Sequence, residues 1–399
     1  MGNPGSQSSP ARIYWTAFIG LLFDYYDLYL FVYLEKVLAG HFTLTPGASN
    51  TLQFAGLAGV GLGALGFGWL ADRFGRGRMM LAVFSVYVLG IAGLSLAWSF
   101  ASVLGFRLLA SLALGAEWGI SHTYLAERVD RTTRYRFAAL LQLAILGGLL
   151  AALARIYLLP AWGWRWLFAA SIVPVAILSL VRWRVLAKEV ESPKSKAEGS
   201  RSISQTAFGL RPSTFDRTGA RALRENAVPF AVCFGIASLT IASGTINVFY
   251  AKDLPQSVVY TVFFWCNVVP GMLAGAWVVR RQGVGRALAI YAAALIGLSV
   301  WAWTSPWPQR ALAFALVLPL LNGIPFGLMG AFFNEVFGEY RTMLSGAAYN
   351  LGRILAGFSP ALITVLGLHQ GGSYFLFTAA LGAGVLALSI SATRLTRWF

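Results

Sequence analysis

The chain alternates between long apolar runs and short charged breaks. Runs of roughly 20 apolar residues recur from one end to the other, the length an α-helix needs to cross a bilayer. They predict spans near 13–34, 51–71, 79–98, 103–126, 137–159 and 164–183, then near 227–250, 257–279, 287–304, 311–334, 343–367 and 373–393. Between the two sets, residues 184–226 are rich in Lys, Arg, Ser, Glu and Pro. That stretch is too long and too charged for a hairpin and reads as a surface linker. The pattern predicts an all-α membrane protein of twelve transmembrane helices. They form two six-helix, pseudo-symmetric bundles, residues 1–183 and 227–399, joined by a cytoplasmic linker at 184–226. Residues 1–11 are Gly/Ser/Pro-rich and lack the cleavable pattern of a secretory signal, so the first span is expected to stay as an anchor.

Charge decides the orientation. The 399 residues are 57% hydrophobic and only 12% charged, about half the charge of a soluble domain. The excess of 31 Lys+Arg over 15 Asp+Glu does not point to nucleic acid, because the basic residues sit in short loops between apolar runs. With the N-terminus inside, 24 of them fall on the inner side and five on the outer side, with Arg107 and Arg353 left inside spans. Both termini are therefore expected in the cytoplasm, with the protein in the plasma or inner membrane. Cys233 and Cys266 lie within apolar runs and read as buried side chains. The three histidines, His41, His122 and His369, have no metal-ligand spacing, and there is no Gly-Lys phosphate loop. Gly61 to Gly66 formally matches G-x-G-x-x-G but lies mid-span with no preceding strand. No cofactor and no enzymatic chemistry are expected.

Ionisable residues inside spans are costly and are functional candidates by default. Span one carries Asp24 and Asp27, spaced i and i+3 on one helix face near mid-membrane. Burial disfavours the charged form of a carboxylate, so such a group can carry a proton. Span four carries Arg107 in its outer third and Glu117 deeper, roughly 80° apart around the helix. Trp118 follows, and His122 comes near the inner end. Span eleven carries Gly346, Asn350, Arg353, Gly357 and Pro360 at steps of 4, 3, 4 and 3, all on one face. A guanidinium near the bilayer centre presents a fork suited to a carboxylate. Its counter-ion is either Asp27 or a bound anion, and a permanent bridge between the halves is the rival reading. In span ten, Pro319, Gly323 and Pro325 surround Asn322, so a kink or break lining the site is expected. Asp72, Arg73, Arg76, Glu127, Glu335, Arg280, Arg281 and Arg341 all end spans on one side and form a candidate cytoplasmic gate. Asp72 is also placed to cap the start of span eleven.

The halves keep traces of a repeat at an offset of 208 residues. Glu127 falls on Glu335, and Gly75, Gly77 and Arg78 fall on Gly283, Gly285 and Arg286, while Asp72 falls on Arg280. A latch built on that acid is then one-sided.

The loop Gly68-Trp69-Leu70-Ala71-Asp72-Arg73-Phe74-Gly75-Arg76-Gly77-Arg78 resembles the signature loop G-x-L-A-D-R-x-G-R-x-R of the major facilitator superfamily. Trp164 to Phe168, Glu191-Ser192-Pro193-Lys194, Asp24 to Asp27 and Arg107 to Trp118 resemble further motifs of its proton-coupled metabolite, sugar and carboxylate symporters. In the last of these, Ser111, Ala113 and Ala116 stand where that group has glycine. Tyr349-Asn350-Leu351-Gly352-Arg353 with Pro360 resembles the Y-N-x-G-R…P of sialate and lactate:proton symporters. The resemblance implies a monomeric secondary transporter that moves a small organic anion with protons, by rocking of the two halves. A monocarboxylate such as lactate or pyruvate is the expected cargo, and the alternative is a carrier of sugars or other metabolites, or a drug exporter. Arg353, Asn350, Arg107, Tyr349, Asn322 and Trp118 are the expected substrate contacts. Asp27, Asp24 or Glu117 is expected to carry the proton.

Overall fold

The computed structural model describes residues 10–130, 133–190, 221–251, 258–338, 340–368 and 372–396. The centre of the linker, with its Glu191–Lys194 motif, and both chain ends lie outside the described residues, as do Lys252 and His369. Among the described residues, the regular structure is helical.

The first four spans are α1 (Pro10–His41), α2 (Pro46–Phe74), α3 (Arg76–Ser95) and α4 (Phe100–Ala126). The fifth, α5, starts at Arg134–Gln142 and continues through a 3-10 turn (Leu143–Leu146), Gly147–Leu153 and a π turn (Ala154–Leu158). The sixth, α6 (Leu159–Val190), follows a reversal at Gly163, whose φ of 74° suits a residue without a Cβ. The second half comprises α7 (Ala227–Ala251), α8 (Val258–Cys266 and Val268–Gln282), α9 (Val284–Thr304) and α10 (Arg310–Val336). It ends with α11 (Arg341–Gly357 and Ser359–Val365) and α12 (Tyr374–Thr396). Ten described helices are long and apolar enough to cross a bilayer by themselves; one of them, Arg134–Ile177, holds the fifth and sixth spans. The helix outside that set is α11, which carries the polar stripe.

A pair of glycine turns shows the repeat directly. Gly75 (φ 95°) and Gly283 (φ 86°) make the same one-residue turn between spans two and three and between spans eight and nine. A side chain there would be strained, which is why both copies keep glycine. In the first half, α2 packs against α4 so closely that a Cβ on Gly63 or Gly115 would overlap the facing carbonyl of Leu112 or Val60. The halves meet where α2 crosses α11 and where α5 crosses α8 and α10.

Of the kink or break expected in span ten, the break is absent: α10 runs continuously through Pro319 and Pro325. Proline at 319 removes the N–H that would bond the Ala315 carbonyl one turn back. Asn247 on α7 fills the gap, donating from Nδ2 to that carbonyl at 3.1 Å, and Asn267 on α8 donates to the neighbouring Leu316 carbonyl at 2.8 Å. With the orphan carbonyl satisfied from outside, the helix need not open. The breaks fall elsewhere. The one in α8 is at Asn267, a turn before Pro270, and the one in α11 is at Phe358, just before Pro360. There the Ser359 hydroxyl donates to the Ala356 carbonyl that Pro360 leaves unbonded, at 2.7 Å.

Candidate functional site

Arg353 sits near the middle of α11 and faces the other half. Its Nη2 donates to the Tyr349 hydroxyl at 3.2 Å, and its guanidinium lies over the rings of Tyr349 (4.9 Å) and Tyr25 (5.7 Å). The acceptor it reaches is thus a phenol. A narrow cleft between the halves is lined by Leu21, Asp24, Tyr25, Leu114, Trp118 and Arg353. Its volume is about 10 Å³, room for no more than about one water. Any larger cargo requires the halves to part.

A hydrogen-bonded chain runs from Arg353 through four helices. The Tyr349 and Tyr25 hydroxyls are 3.1 Å apart, and Gln142 Nε2 on α5 donates to Tyr25 at 2.7 Å. Gln142 Oε1 accepts from Trp118 Nε1 at 3.1 Å and lies 3.1 Å from His122 Nε2. The Trp118 and Tyr349 rings stack face to face, with centroids 3.9 Å apart and planes within 3°. Tyr29 edges onto Trp265 of α8 at 4.6 Å and completes an aromatic surround. Asn350 donates to the Gly115 carbonyl across the seam (2.9 Å) and to Gly346 in its own helix (3.0 Å).

The two aspartates of span one part company. Asp24 lines the cleft, whereas Asp27 turns into the first bundle. There Asp27 accepts from Tyr87 on α3 and from Ser171 on α6 (3.2 Å). Positions i and i+3 differ by about 60° around a helix, enough to aim two short side chains at different neighbours. Asp27 does not serve as the counter-ion of Arg353. The charge it attracts is Arg107 on α4, whose guanidinium lies 3.9 Å above the Phe31 ring and fits against Gly56. Arg107 is therefore enclosed in the first bundle, away from the cleft lining. Glu117 is buried and accepts from Ser121 Oγ at 2.8 Å. Asn322 belongs to a separate cluster in the second bundle, accepting from Ser243 (3.0 Å) and Tyr291 (2.9 Å).

At the rim, Asp72 caps α11, as its position in the loop predicts. Its carboxylate accepts from the backbone N–H of Thr342 (3.2 Å) and Met343 (2.8 Å). An acid at a helix N-terminus is favoured by the helix dipole and by the unpaired N–H groups there. Arg76 bridges Asp72 (2.8 Å) and Glu127 (3.1 Å). Across the rim, Glu335 of α10 accepts from the Tyr135 hydroxyl and pairs with Arg134 at 3.9 Å, both at the start of α5. Thr123 of α4 donates to Asn334 of α10 at 2.7 Å. Arg73 instead lies over its own neighbours Trp69 and Phe74, and Arg280 is exposed.

Comparison with known proteins places this architecture. The model of the Major Facilitator Superfamily matches residues 17–360. The chain belongs to the Major Facilitator Superfamily. It is a secondary transporter and not an enzyme. The cis,cis-muconate transport protein of Acinetobacter baylyi is 28% identical over 382 residues, covering 92% of this chain and 89% of that one. The niacin transporter NiaP of the same organism is 24% identical, covering 92% and 90%. A solved structure of the proton:xylose symporter XylE, bound to 6-bromo-6-deoxy-D-glucose, superposes with a TM-score of 0.70 over 96% of this chain and 95% of that one. At 16% identity it shows the superfamily fold.

Sequence reasoning passed over two members of the central chain, Gln142 and Tyr25. Gln142 is a neutral amide in an apolar run, and Tyr25 sits between two acids that draw the eye. The usable signal was Gln142 itself, since a buried amide in a span needs polar partners.

Proposed function

We propose that this superfamily member carries a small, planar organic acid together with a proton. The observation that carries the reading is Arg353, a permanent cation at the meeting of the two halves, whose acceptor is a neutral phenol. A carboxylate makes a stronger, charge-assisted partner for a guanidinium than a hydroxyl does. Tyr25, Tyr29, Tyr349 and Trp118 offer flat faces beside it, which favours a conjugated or aromatic acid over a sugar. The names of the muconate and niacin relatives agree with that class. Asn350 acts mainly as a tie between α11 and α4, because both of its amide hydrogens are already donated.

The proton is assigned to Asp27, with Arg107 as the charge that responds when Asp27 is neutralised. Asp24 supports the coupling from inside the cleft. An anion at Arg353 and the Asp24 carboxylate would share a very small space, and a proton on Asp24 relieves their repulsion. Asp72, Arg76 and Glu127, with Glu335 and Arg134 opposite, would hold the rim shut until cargo binds. We take that rim and both termini to be cytoplasmic, from the positive charge of its loops. The bundles are taken as 1–183 and 227–399 about the linker 184–226, in a monomer of the cell membrane.

The test is a flux assay in proteoliposomes with nicotinate, cis,cis-muconate, lactate and glucose, with and without a pH gradient. Uptake of an acid driven by the gradient, and lost in Arg353→Ala, is the expected result. Gradient-driven uptake of glucose alone would refute the acid reading.

A further inference from the structure

We propose that Tyr349 is the trigger through which a carboxylate bound at Arg353 releases the seam between α4 and α11. The inference rests on the reading of Arg353 as the carboxylate site.

The Tyr349 hydroxyl occupies the acceptor position on Arg353 Nη2 that an anionic oxygen would take. A charge-assisted bond is shorter and about twice as strong as a neutral one, so the carboxylate displaces the phenol. The phenol is rigid from Cβ to its oxygen, and its ring lies flat on Trp118 of α4 at 3.9 Å. The oxygen cannot leave the guanidinium without sliding or tilting the ring against the indole.

Along the seam between α4 and α11, the stack lies beside two other contacts. Asn350 reaches the Gly115 carbonyl three residues before Trp118, and the backbones at Gly119 and Gly346 touch. A Cβ on Gly119 would stand 3.1 Å from the Gly346 Cα and 3.0 Å from the Thr342 carbonyl. The closed seam also leaves Asn350 Oδ1 buried with no hydrogen-bond partner, a cost that opening to water removes. Below it, the same helix ends on the Asp72 cap. Loss of the stack therefore loosens α11 along the face that leads to the rim. Cargo binding and rim opening are joined at one side chain.

The experiment uses the full chain in proteoliposomes, with Cys233 and Cys266 replaced by Ser and Ala64→Cys as reporter. Ala64 is buried on α2, with its carbonyl 4.0 Å from where a Gly346 Cβ would lie. A membrane-impermeant maleimide is added on the rim side, and binding of nicotinate and cis,cis-muconate is measured in parallel. In the reporter parent, a bound acid should raise labelling at least threefold. Trp118→Ala should raise it at least threefold with no acid present. Tyr349→Phe keeps the stack but removes the competing hydroxyl. It should bind acid at least threefold more tightly than the parent while acid-driven labelling falls below the parent's.

A purely structural Tyr349 predicts instead equal or weaker binding in Tyr349→Phe, and that result overturns the trigger. Labelling of both Trp118→Ala and the milder Trp118→Leu at the parent level without acid overturns it independently of any ligand. If the parent binds neither acid, the carboxylate reading fails and takes the trigger with it. The acid-free labelling then still decides whether the stack closes the seam.

Discussion

At the scale of single residues, the candidate site is a cation that lies over two phenols and bonds to one of them. Arg353→Ala removes a charge-assisted bond of about 1.5–3 kcal/mol, so affinity for an acid cargo should fall roughly 10- to 100-fold with expression intact. Equilibrium binding to the purified protein checks this, and an unchanged affinity would remove the substrate site. Asp27→Asn keeps the shape and one of the two acceptor oxygens that Tyr87 and Ser171 use, but cannot exchange a proton. Exchange of labelled acid across the membrane should persist in that variant, while accumulation driven by a pH gradient is lost. Uphill uptake at the wild-type level would exclude Asp27 as the proton carrier. Arg353, Tyr349 and Trp118 were legible as candidates because charge or an aromatic motif marked them in an apolar run. Gln142 was not, because a neutral amide becomes meaningful only through its partners. The different fates of Asp24 and Asp27 were hidden for a related reason. Helical spacing gives the angle between two side chains, but the neighbouring helix decides what each one meets.

At the scale of helices, the number and order of spans followed from hydrophobic run length. The behaviour of prolines did not. Pro319 and Pro325 mark α10 as the helix to break, yet the amides of Asn247 and Asn267 repair its ladder from α7 and α8. Asn247→Ala leaves the Ala315 carbonyl buried and unpaired, at a cost of about 1–3 kcal/mol. The same change beside Pro319→Ala should cost much less, since alanine restores the N–H within the helix. Thermal unfolding of the four proteins in detergent measures the coupling, and strictly additive effects would contradict this account. The two glycine turns at Gly75 and Gly283 were readable because the sequence repeat and the backbone demand coincide there.

At the scale of the whole molecule, the contacts between the halves at the rim differ from one side to the other. On one side an acid in the loop, Asp72, caps α11; on the other, Arg280 stands at the repeat position of that acid and the task passes to Glu335. That glutamate engages the start of α5 through Tyr135 and Arg134. Asp72→Ala should raise rim-side accessibility of the Ala64→Cys reporter several-fold without cargo and slow transport. Glu335→Gln, which can still accept from Tyr135, should do so more weakly. Equal and unchanged labelling in both would show that these contacts do not hold the rim. The sequence by itself determined the twelve spans, the two halves and the short catalogue of costly polar groups, because each follows from transferring a helix into hydrocarbon. It also offered Asp72 as a cap for the start of α11, since an acid is favoured at a helix N-terminus. Only the tertiary structure decided which polar groups share a space: Arg353 with Tyr349 and Tyr25, Asp27 with Arg107, Asn322 with Ser243 and Tyr291. The reason is that a buried polar group must be satisfied by some partner, while the choice among partners belongs to the packing of helices far apart in the chain.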